Sequence, residues 1–146
     1  MSLKDRLYTD FKEAMKSHDK VRKETISMVR AAVKQYEIDQ HAELDDEGII
    51  GILTRQVKER KDALSDFEKA GRTDLIESYT GEIKVLEEYL PEPFTEEELR
   101  QIVMDTKAGL GIEDKSGMGK LMGAVMPKVR GRADGEDVKK IVLSVL

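Results

Sequence analysis

The 146-residue sequence contains no cysteine and only two histidines, His18 and His41. These absences exclude disulfides and thiolate chemistry, and they disfavour a histidine-rich metal site or a Ser-His-Asp triad. No apolar run approaches the roughly 20 residues that a membrane span needs, and the start MSLKDRLYTDF does not resemble a secretory signal. The sequence therefore predicts a soluble, cytoplasmic protein with no membrane partner.

Tryptophan is also absent, and aromatic residues make up only 5% of the chain. Charged residues contribute 38% and hydrophobic residues 39%, so the core must be built mainly from Leu, Ile, Val, Met and Ala. Such a composition is typical of packed helices, because the strongest helix formers dominate it. No useful length of strand-like alternation occurs. The predicted fold class is all-α.

Apolar residues at three- and four-residue spacing predict four longer helices in the first part of the chain. Asp19 is expected to cap the second helix, and Asp45 or Asp46 the third, because a carboxylate can accept from the exposed amides of a first turn. The acidic run 37–47 is expected to connect these two helices. Gly71 is expected to end the third helix.

Pro91 and Pro93 predict a domain boundary at residues 90–95, because proline cannot continue a helix and restricts the residue before it. We therefore expect an N-terminal domain of about four helices, residues 1–92. A small C-terminal domain of three short helices, residues 93–146, follows it.

The three short helices of the C-terminal part have their own start and stop signals. Thr95 and Glu98 form a capping box before the first one. Ser116 and Asp134 are expected to cap the second and third, and Pro127 is expected to end the second. Glycines and methionines crowd the second helix. We expect its glycines to allow close helix–helix contact, and its methionines to fill the core in preference to forming a binding stripe.

Charge is distributed unevenly along the chain. The net charge of −5 argues against a general nucleic-acid binder, and we expect no DNA partner. Residues 115–133, however, carry five Lys or Arg and no Asp or Glu. Lys128, Arg130 and Arg132 are expected on a connecting loop, where cations can contact phosphate. The alternative is that they are solvated loop cations.

Catalytic and cofactor signals are weak. Lys120 is followed by Leu121 and no strand precedes it, so the glycine-rich segment is not a nucleotide-binding P-loop. The paired carboxylates indicate no particular chemistry. His41, with acidic neighbours, can be read as a weak divalent-cation site, although an exposed polar loop is the simpler reading. We predict no catalytic residue, no cofactor and no metal site.

Three stretches carry a resemblance to a known family. They are LPEPFTEEEL at 90–99, GMGKLMGAVMPKVRGRADG at 117–135 and the terminal DVKKIVLSVL. Together they resemble the YqeY family over essentially the whole chain. That family is similar to the C-terminal end of the B subunit of the tRNA-dependent amidotransferase, where a helical domain and a small tail domain follow a catalytic cradle. The tail domain is associated with gripping the tRNA elbow.

The resemblance implies helical and tail domains without the catalytic cradle. By position, Lys120, Lys128, Arg130 and Arg132 fall in the segment that matches the tRNA-facing tail. This chain has Arg-Ala-Asp between Gly131 and Gly135, where the subunit reads closer to GKANP, so tRNA contact does not carry over automatically.

Three functions follow from this resemblance and from the residues. We predict an accessory module that binds tRNA, or a tRNA-modifying assembly, and has no catalytic activity. One alternative is a carbon–nitrogen ligase that uses glutamine as amide donor. The other is a protein–protein adaptor, in which the apolar seams of the third and fourth helices pair with a partner.

Overall fold

The computed structural model describes residues 1–146 and contains seven α-helices, one 3₁₀ helix and no strand. The all-α prediction is therefore confirmed. The α-helices are α1 (Leu3–Lys16), α2 (Lys20–Gln40), α3 (Asp46–Ala70), α4 (Thr73–Glu87), α5 (Glu96–Leu110), α6 (Met118–Val129) and α7 (Gly135–Val145).

The chain divides into two compact units, unit 1 at residues 1–90 and unit 2 at residues 91–146. Unit 1 contains α1 to α4, and unit 2 contains α5 to α7 and the 3₁₀ helix Lys115–Gly117. Each unit has its own hydrophobic cluster. That the two units fold as independent domains, with the predicted limits 1–92 and 93–146, stays a prediction.

Unit 1 buries the apolar stripes that the helical spacing predicts. Burial of these side chains is the main source of its stability, at roughly 25 cal/mol per Å² of apolar surface removed from water. Its most fully buried side chains are Leu7, Ile26, Val29, Ile49, Leu53 and Leu86. Tyr89, just after α4, closes the cluster and donates through its hydroxyl to Asp10 Oδ2 on α1.

Helix ends in unit 1 follow the predicted caps with one correction. Asp19 accepts from the amide of Arg22, and Asp45, not Asp46, accepts from the amide of Gly48. Gly71 ends α3 in the left-handed conformation, with φ 66°. The prediction that all of 37–47 is a connection is wrong, because α2 continues to Gln40.

Contacts of the acidic residues explain the longer α2. The Glu37 carboxylate accepts from Lys4 Nζ and from the Leu44 amide, which lowers its pKa chiefly through the bond from Lys4. Lys4 therefore balances a negative charge in the last turn of the helix, where the helix dipole alone disfavours it. His41 then takes φ 52° and ends the helix.

Unit 2 begins with the predicted capping box. Thr95 Oγ1 accepts from the Glu98 amide, and Glu98 Oε1 accepts from the Thr95 amide. The bond from the Thr95 amide to the carboxylate is the main cause that holds the pKa of Glu98 below its usual range. At the other end of the unit, Asp134 caps α7 as predicted and accepts from the Glu136 amide at 2.9 Å.

Helix α6 differs from the prediction at both ends. Ser116 is not its cap. Asp114 accepts from both the amide and the hydroxyl of Ser116 and so holds that residue in the 3₁₀ helix. Pro127 does not end α6, which continues to Val129. Proline leaves only the carbonyl four residues earlier without its helical donor; that carbonyl belongs to Gly123, which is exposed to water.

The core of unit 2 is rich in valine. Short branched side chains let three small helices approach closely in a unit with little interior volume. Its buried residues are Leu99, Val103, Leu121, Val125, Val129, Val138, Ile141 and Val142. Met118, Met122 and Met126 are partly buried against this cluster, which confirms the prediction that they belong to the core.

Candidate nucleic-acid interface

The four predicted RNA-binding residues are distributed over α6 and the turn that follows it. Lys120 lies in the first turn of α6 and Lys128 in its last turn, while Arg130 directly follows the helix and Arg132 lies in the turn before α7. Ten residues separate Lys120 from Arg130, which corresponds to about 15 Å along a helix axis. Lys128 is also on the helix and not on the predicted connecting loop.

Arg132 is engaged within unit 2. Its Nε donates to the carbonyl oxygen of Glu92 at 2.7 Å, and its guanidinium lies 3.7 Å from the centroid of the Phe94 ring. The Phe94 amide in turn donates to the Arg132 carbonyl at 2.9 Å. Arg132 therefore fastens the segment before α5 to the turn before α7. Arg132 lies on the predicted connecting loop, but its side chain is bound within the protein, unlike that of a solvated loop cation.

Lys128 is partly engaged. Its Nζ donates to Thr106 Oγ1 on α5 at 2.9 Å, and the same hydroxyl donates to the Ile102 carbonyl at 2.7 Å. An ammonium group has three donors, and Lys128 is exposed. The contact with Thr106 therefore positions the ammonium without consuming all of its donors.

Lys120 and Arg130 are the two unpaired cations among the four predicted RNA-binding residues. Both are exposed, and neither takes part in any of the chain's ion pairs. No side-chain hydrogen bond to the protein engages either of them, in contrast to Lys128 and Arg132. These two side chains have charge and donors available for an external anion.

The glycines of α6 are not used for helix packing. A Cβ atom added at Gly119 or Gly123 would meet no atom within 4 Å, and both residues are exposed. The predicted close helix–helix contact is therefore wrong for them. Gly117, which precedes α6, is the one crowded glycine of the predicted Gly117, Gly119 and Gly123 spacing, since a Cβ there would lie 2.5 Å from Ile112 Cγ2.

Gly119 and Gly123 lie one turn apart, and Lys120 precedes Gly123 by three residues, so the three residues share one side of α6. We call Gly119, Lys120 and Gly123 the open face of α6. A glycine inside a helix costs up to about 1 kcal/mol relative to alanine. No contact within unit 2 accounts for this cost at either glycine.

The alternative metal site at His41 finds no support in the structure. No group of three or more His, Asp or Glu side chains comes together in a way that could hold a metal ion. Asp39 instead accepts from Gln35, and Asp45 caps α3. None of the seven α-helices combines the length and apolarity that crossing a membrane requires.

Comparison with known protein families gives a match over nearly the whole chain. The family model described as Yqey-like protein matches residues 4–146. The chain belongs to this family. The resemblance carried by the three sequence stretches is thereby confirmed.

Three curated relatives carry the name "Altered inheritance of mitochondria protein 41, mitochondrial". The chain is 31% identical to the one from Pyrenophora tritici-repentis, over 97% of this chain and 79% of that protein. It is 38% identical to the one from Kluyveromyces lactis and 35% to the one from Lachancea thermotolerans. Those two matches cover 57% and 58% of this chain, and they span 45% and 46% of the relatives' lengths.

These names bear on the predicted location. Each of the three relatives is named a mitochondrial protein. This finding contradicts the prediction of a cytoplasmic protein, because the names of the relatives point to the mitochondrion instead. The prediction of a cytoplasmic location was based on the lack of a long apolar run and of a secretory signal. Neither feature distinguishes the cytoplasm from the mitochondrion.

Proposed function

We propose that this chain is an accessory RNA-binding protein that contacts tRNA through the open face of α6 and Arg130, and that it performs no chemistry of its own. One observation carries the proposal. Two exposed and unpaired cations, Lys120 and Arg130, accompany a helix side on which two glycines leave the backbone uncovered.

Uncovered backbone is useful to a partner that must approach closely. Glycine removes the side chain that would hold a sugar–phosphate chain away from the helix. Lys120 and Arg130 are about 15 Å apart along the helix direction, a distance that about four nucleotides span at 3.4 Å per nucleotide. Residues 95–146 contain no aromatic side chain, so recognition would depend on shape and phosphates and not on base stacking.

The resemblance to the amidotransferase tail domain supports tRNA as the RNA in question. Lys128 is a supporting contact in this proposal, because its ammonium is exposed and already positioned by Thr106. Arg132 has a different role: it holds the turn that follows Arg130. The mitochondrion, named for the relatives, is the compartment in which to look for this activity first.

The charge contacts can be tested by measuring tRNA affinity by fluorescence anisotropy over a range of salt concentrations. We expect Lys120→Glu combined with Arg130→Glu to weaken binding at least about tenfold. Each lost phosphate contact also removes about 0.7 to 0.9 from the log–log salt slope, so the slope should become shallower by about 1.4 to 1.8. Helix content should not change, because neither side chain has a partner in the protein.

A matched control changes the net charge equally in the same unit. Lys139→Glu combined with Lys140→Glu reverses two exposed cations of α7, and we expect it to retain nearly all affinity. Equal losses in the two double variants would mean that net charge alone matters, and no loss in either would contradict the proposed interface.

The absence of amidation chemistry is testable separately. We expect the purified protein, supplied with ATP, glutamine and misacylated tRNA, to form no amidated tRNA. Turnover above a control without protein, persisting after removal of any contaminating amidotransferase, would overturn this part of the proposal.

We also propose that the two compact units are separate domains. Limited proteolysis should then cut first near residues 90–95 or in the connection between α2 and α3, where no helical hydrogen bonds protect the backbone. A fragment beginning near residue 95 should melt cooperatively. First cuts inside α3 would contradict this division.

A further inference from the structure

Unit 1 contains two arginines that lie over aromatic rings, Arg6 over Tyr89 and Arg30 over two rings of α1, and the donors of Arg30 are unused. Arg30 on α2 places its guanidinium carbon 4.9 Å from the centroid of the Tyr8 ring and 5.1 Å from that of Phe11, both on α1. Arg30 is half-buried. It takes part in no ion pair of the chain, and no hydrogen bond to a protein acceptor engages it.

Three lysines accompany this arginine. Lys12 lies over one of the two rings that Arg30 contacts, with its Nζ 4.4 Å from the Tyr8 centroid. Lys23 precedes Arg30 by seven residues and Lys34 follows it by four, which places both on the same side of α2. We call Lys12, Lys23, Arg30 and Lys34 the α1–α2 cationic face. None of the four is ion-paired.

Several nearby carboxylates are engaged elsewhere. Glu37 is bound by Lys4 and by the Leu44 amide. Asp10 accepts from the Tyr89 hydroxyl and lies 3.5 Å from Arg22. These two acids pair with other groups and with none of the four cations of the α1–α2 cationic face.

The ring contacts prepare Arg30 for one kind of ligand. A guanidinium held against aromatic rings has already lost much of its rotational freedom, so less is lost when it binds. Its planar fork of N–H donors matches the oxygens of a phosphate group. A fixed fork with no acceptor in its own protein is suited to an anion from outside.

We infer that the α1–α2 cationic face binds the phosphodiester backbone of RNA as a second contact region. This inference rests on the proposed function only in taking RNA as the ligand. From Lys23 to Lys34 the face extends about 16.5 Å along α2, the length of about five nucleotides of a strand. Tyr8 is 49% exposed and offers part of its ring to a neighbouring base.

A membrane surface fits this face less well. Helices that lie in a bilayer interface bury a broad apolar side among the lipids. Helices α1 and α2 do expose large apolar side chains, namely Tyr8, Met15, Val21, Met28, Tyr36 and Ile38. By helical spacing Val21, Met28 and Tyr36 lie on the side of α2 away from Lys23, Arg30 and Lys34, so they do not add up to one broad apolar side next to the cations. Phosphate recognition accounts for the four cations and for an arginine fork held in place by rings. Membrane insertion does not require the rings to be covered by cations.

The test compares Arg30→Ala and Arg30→Lys with Arg55→Ala, a control at an exposed and unpaired arginine of α3. With tRNA and with a short single-stranded RNA as probes, we expect Arg30→Ala to weaken binding about tenfold. It should also make the salt slope shallower by about 0.7 to 0.9. Arg30→Lys should recover the slope but only part of the affinity, and Arg55→Ala should bind like the parent.

Lys34→Glu provides a second variant that touches neither ring, and it should weaken RNA binding while melting like the parent. Unchanged RNA affinity in Arg30→Ala and Lys34→Glu, with a loss in the Lys120→Glu and Arg130→Glu variant, would overturn this inference alone. Weaker RNA binding in Arg30→Ala and Lys34→Glu, with unchanged binding in the Lys120→Glu and Arg130→Glu variant, would support this inference and contradict the proposed α6 interface. Arg30-dependent binding to vesicles of phosphatidylcholine and phosphatidylserine, without RNA binding, would also overturn it.

Discussion

Each unit of the molecule contains arginine stacked on aromatic rings, and Arg132 of unit 2 and Arg30 of unit 1 differ in what their donors meet. In unit 2 the Arg132 guanidinium lies over Phe94 and its Nε donates to the Glu92 carbonyl. In unit 1 the Arg30 guanidinium lies over Tyr8 and Phe11 and meets no acceptor. The first arginine joins two chain segments, and the second is left available. Both arginines are charged and lie over a ring, so the difference between them is the hydrogen-bond acceptor, which is present for Arg132 and absent for Arg30.

The largest effect that separates the two arginines should be on folding stability. Arg132→Ala removes a charged hydrogen bond to a backbone carbonyl and a ring contact, so we expect the free energy of unfolding of unit 2 to fall by about 2 kcal/mol. Arg30→Ala removes ring contacts alone and should cost less than about 1 kcal/mol. Chemical denaturation followed by circular dichroism measures both losses of stability. Equal losses in the two variants would contradict the different roles assigned to Arg132 and Arg30.

A smaller effect should be the same in both units, because it depends on local geometry alone. Asp134 caps α7 and Asp19 caps α2, and replacing either by alanine should cost about 1 kcal/mol. Thermal melts of the two variants test this. If only one variant loses stability, the helices of the two units do not depend equally on their caps.

The smallest effect concerns alkaline pH and unit 1 alone. Burial, followed by the hydrogen bond to Asp10, raises the pKa of Tyr89 above its usual value, and unit 2 contains no tyrosine. The stabilisation is complete below the unfolded tyrosine pKa of about 10 and is lost as pH rises above it, because the unfolded state then releases the proton more readily. Tyr89→Phe should flatten this decline in denaturation measured at several pH values. An equally steep decline in that variant would contradict the assignment.

Signals within one turn of helix were readable from the sequence. The caps at Asp19, Asp45, Thr95 and Asp134 involve residues two or three positions apart, and these predictions are confirmed. The helical spacing also predicted the fold class. Ser116 was misassigned because Asp114 binds both its amide and its hydroxyl, so the hydroxyl donates to Asp114 and does not cap α6.

The candidate site was harder to predict because its members are distinguished by distant partners. Arg132 bonds to Glu92, 40 residues away, and Lys128 to Thr106, 22 residues away. A count of charges treats these side chains and Arg130 alike. The openness around Gly119 and Gly123 likewise depends on where the other helices pack, and the glycine spacing by itself indicated the opposite.

The Gly123→Ala variant tests most directly whether α6 presents an uncovered backbone to tRNA. A Cβ atom meets no neighbour at Gly123, and the same is true at Gly51 in α3 of unit 1. Alanine at either position should therefore raise the free energy of unfolding, by up to about 1 kcal/mol. We expect Gly123→Ala to be more stable than the parent and to bind tRNA more weakly, while Gly51→Ala gains stability at unchanged affinity. A Gly123→Ala protein that is more stable and binds tRNA as tightly as the parent would contradict the account.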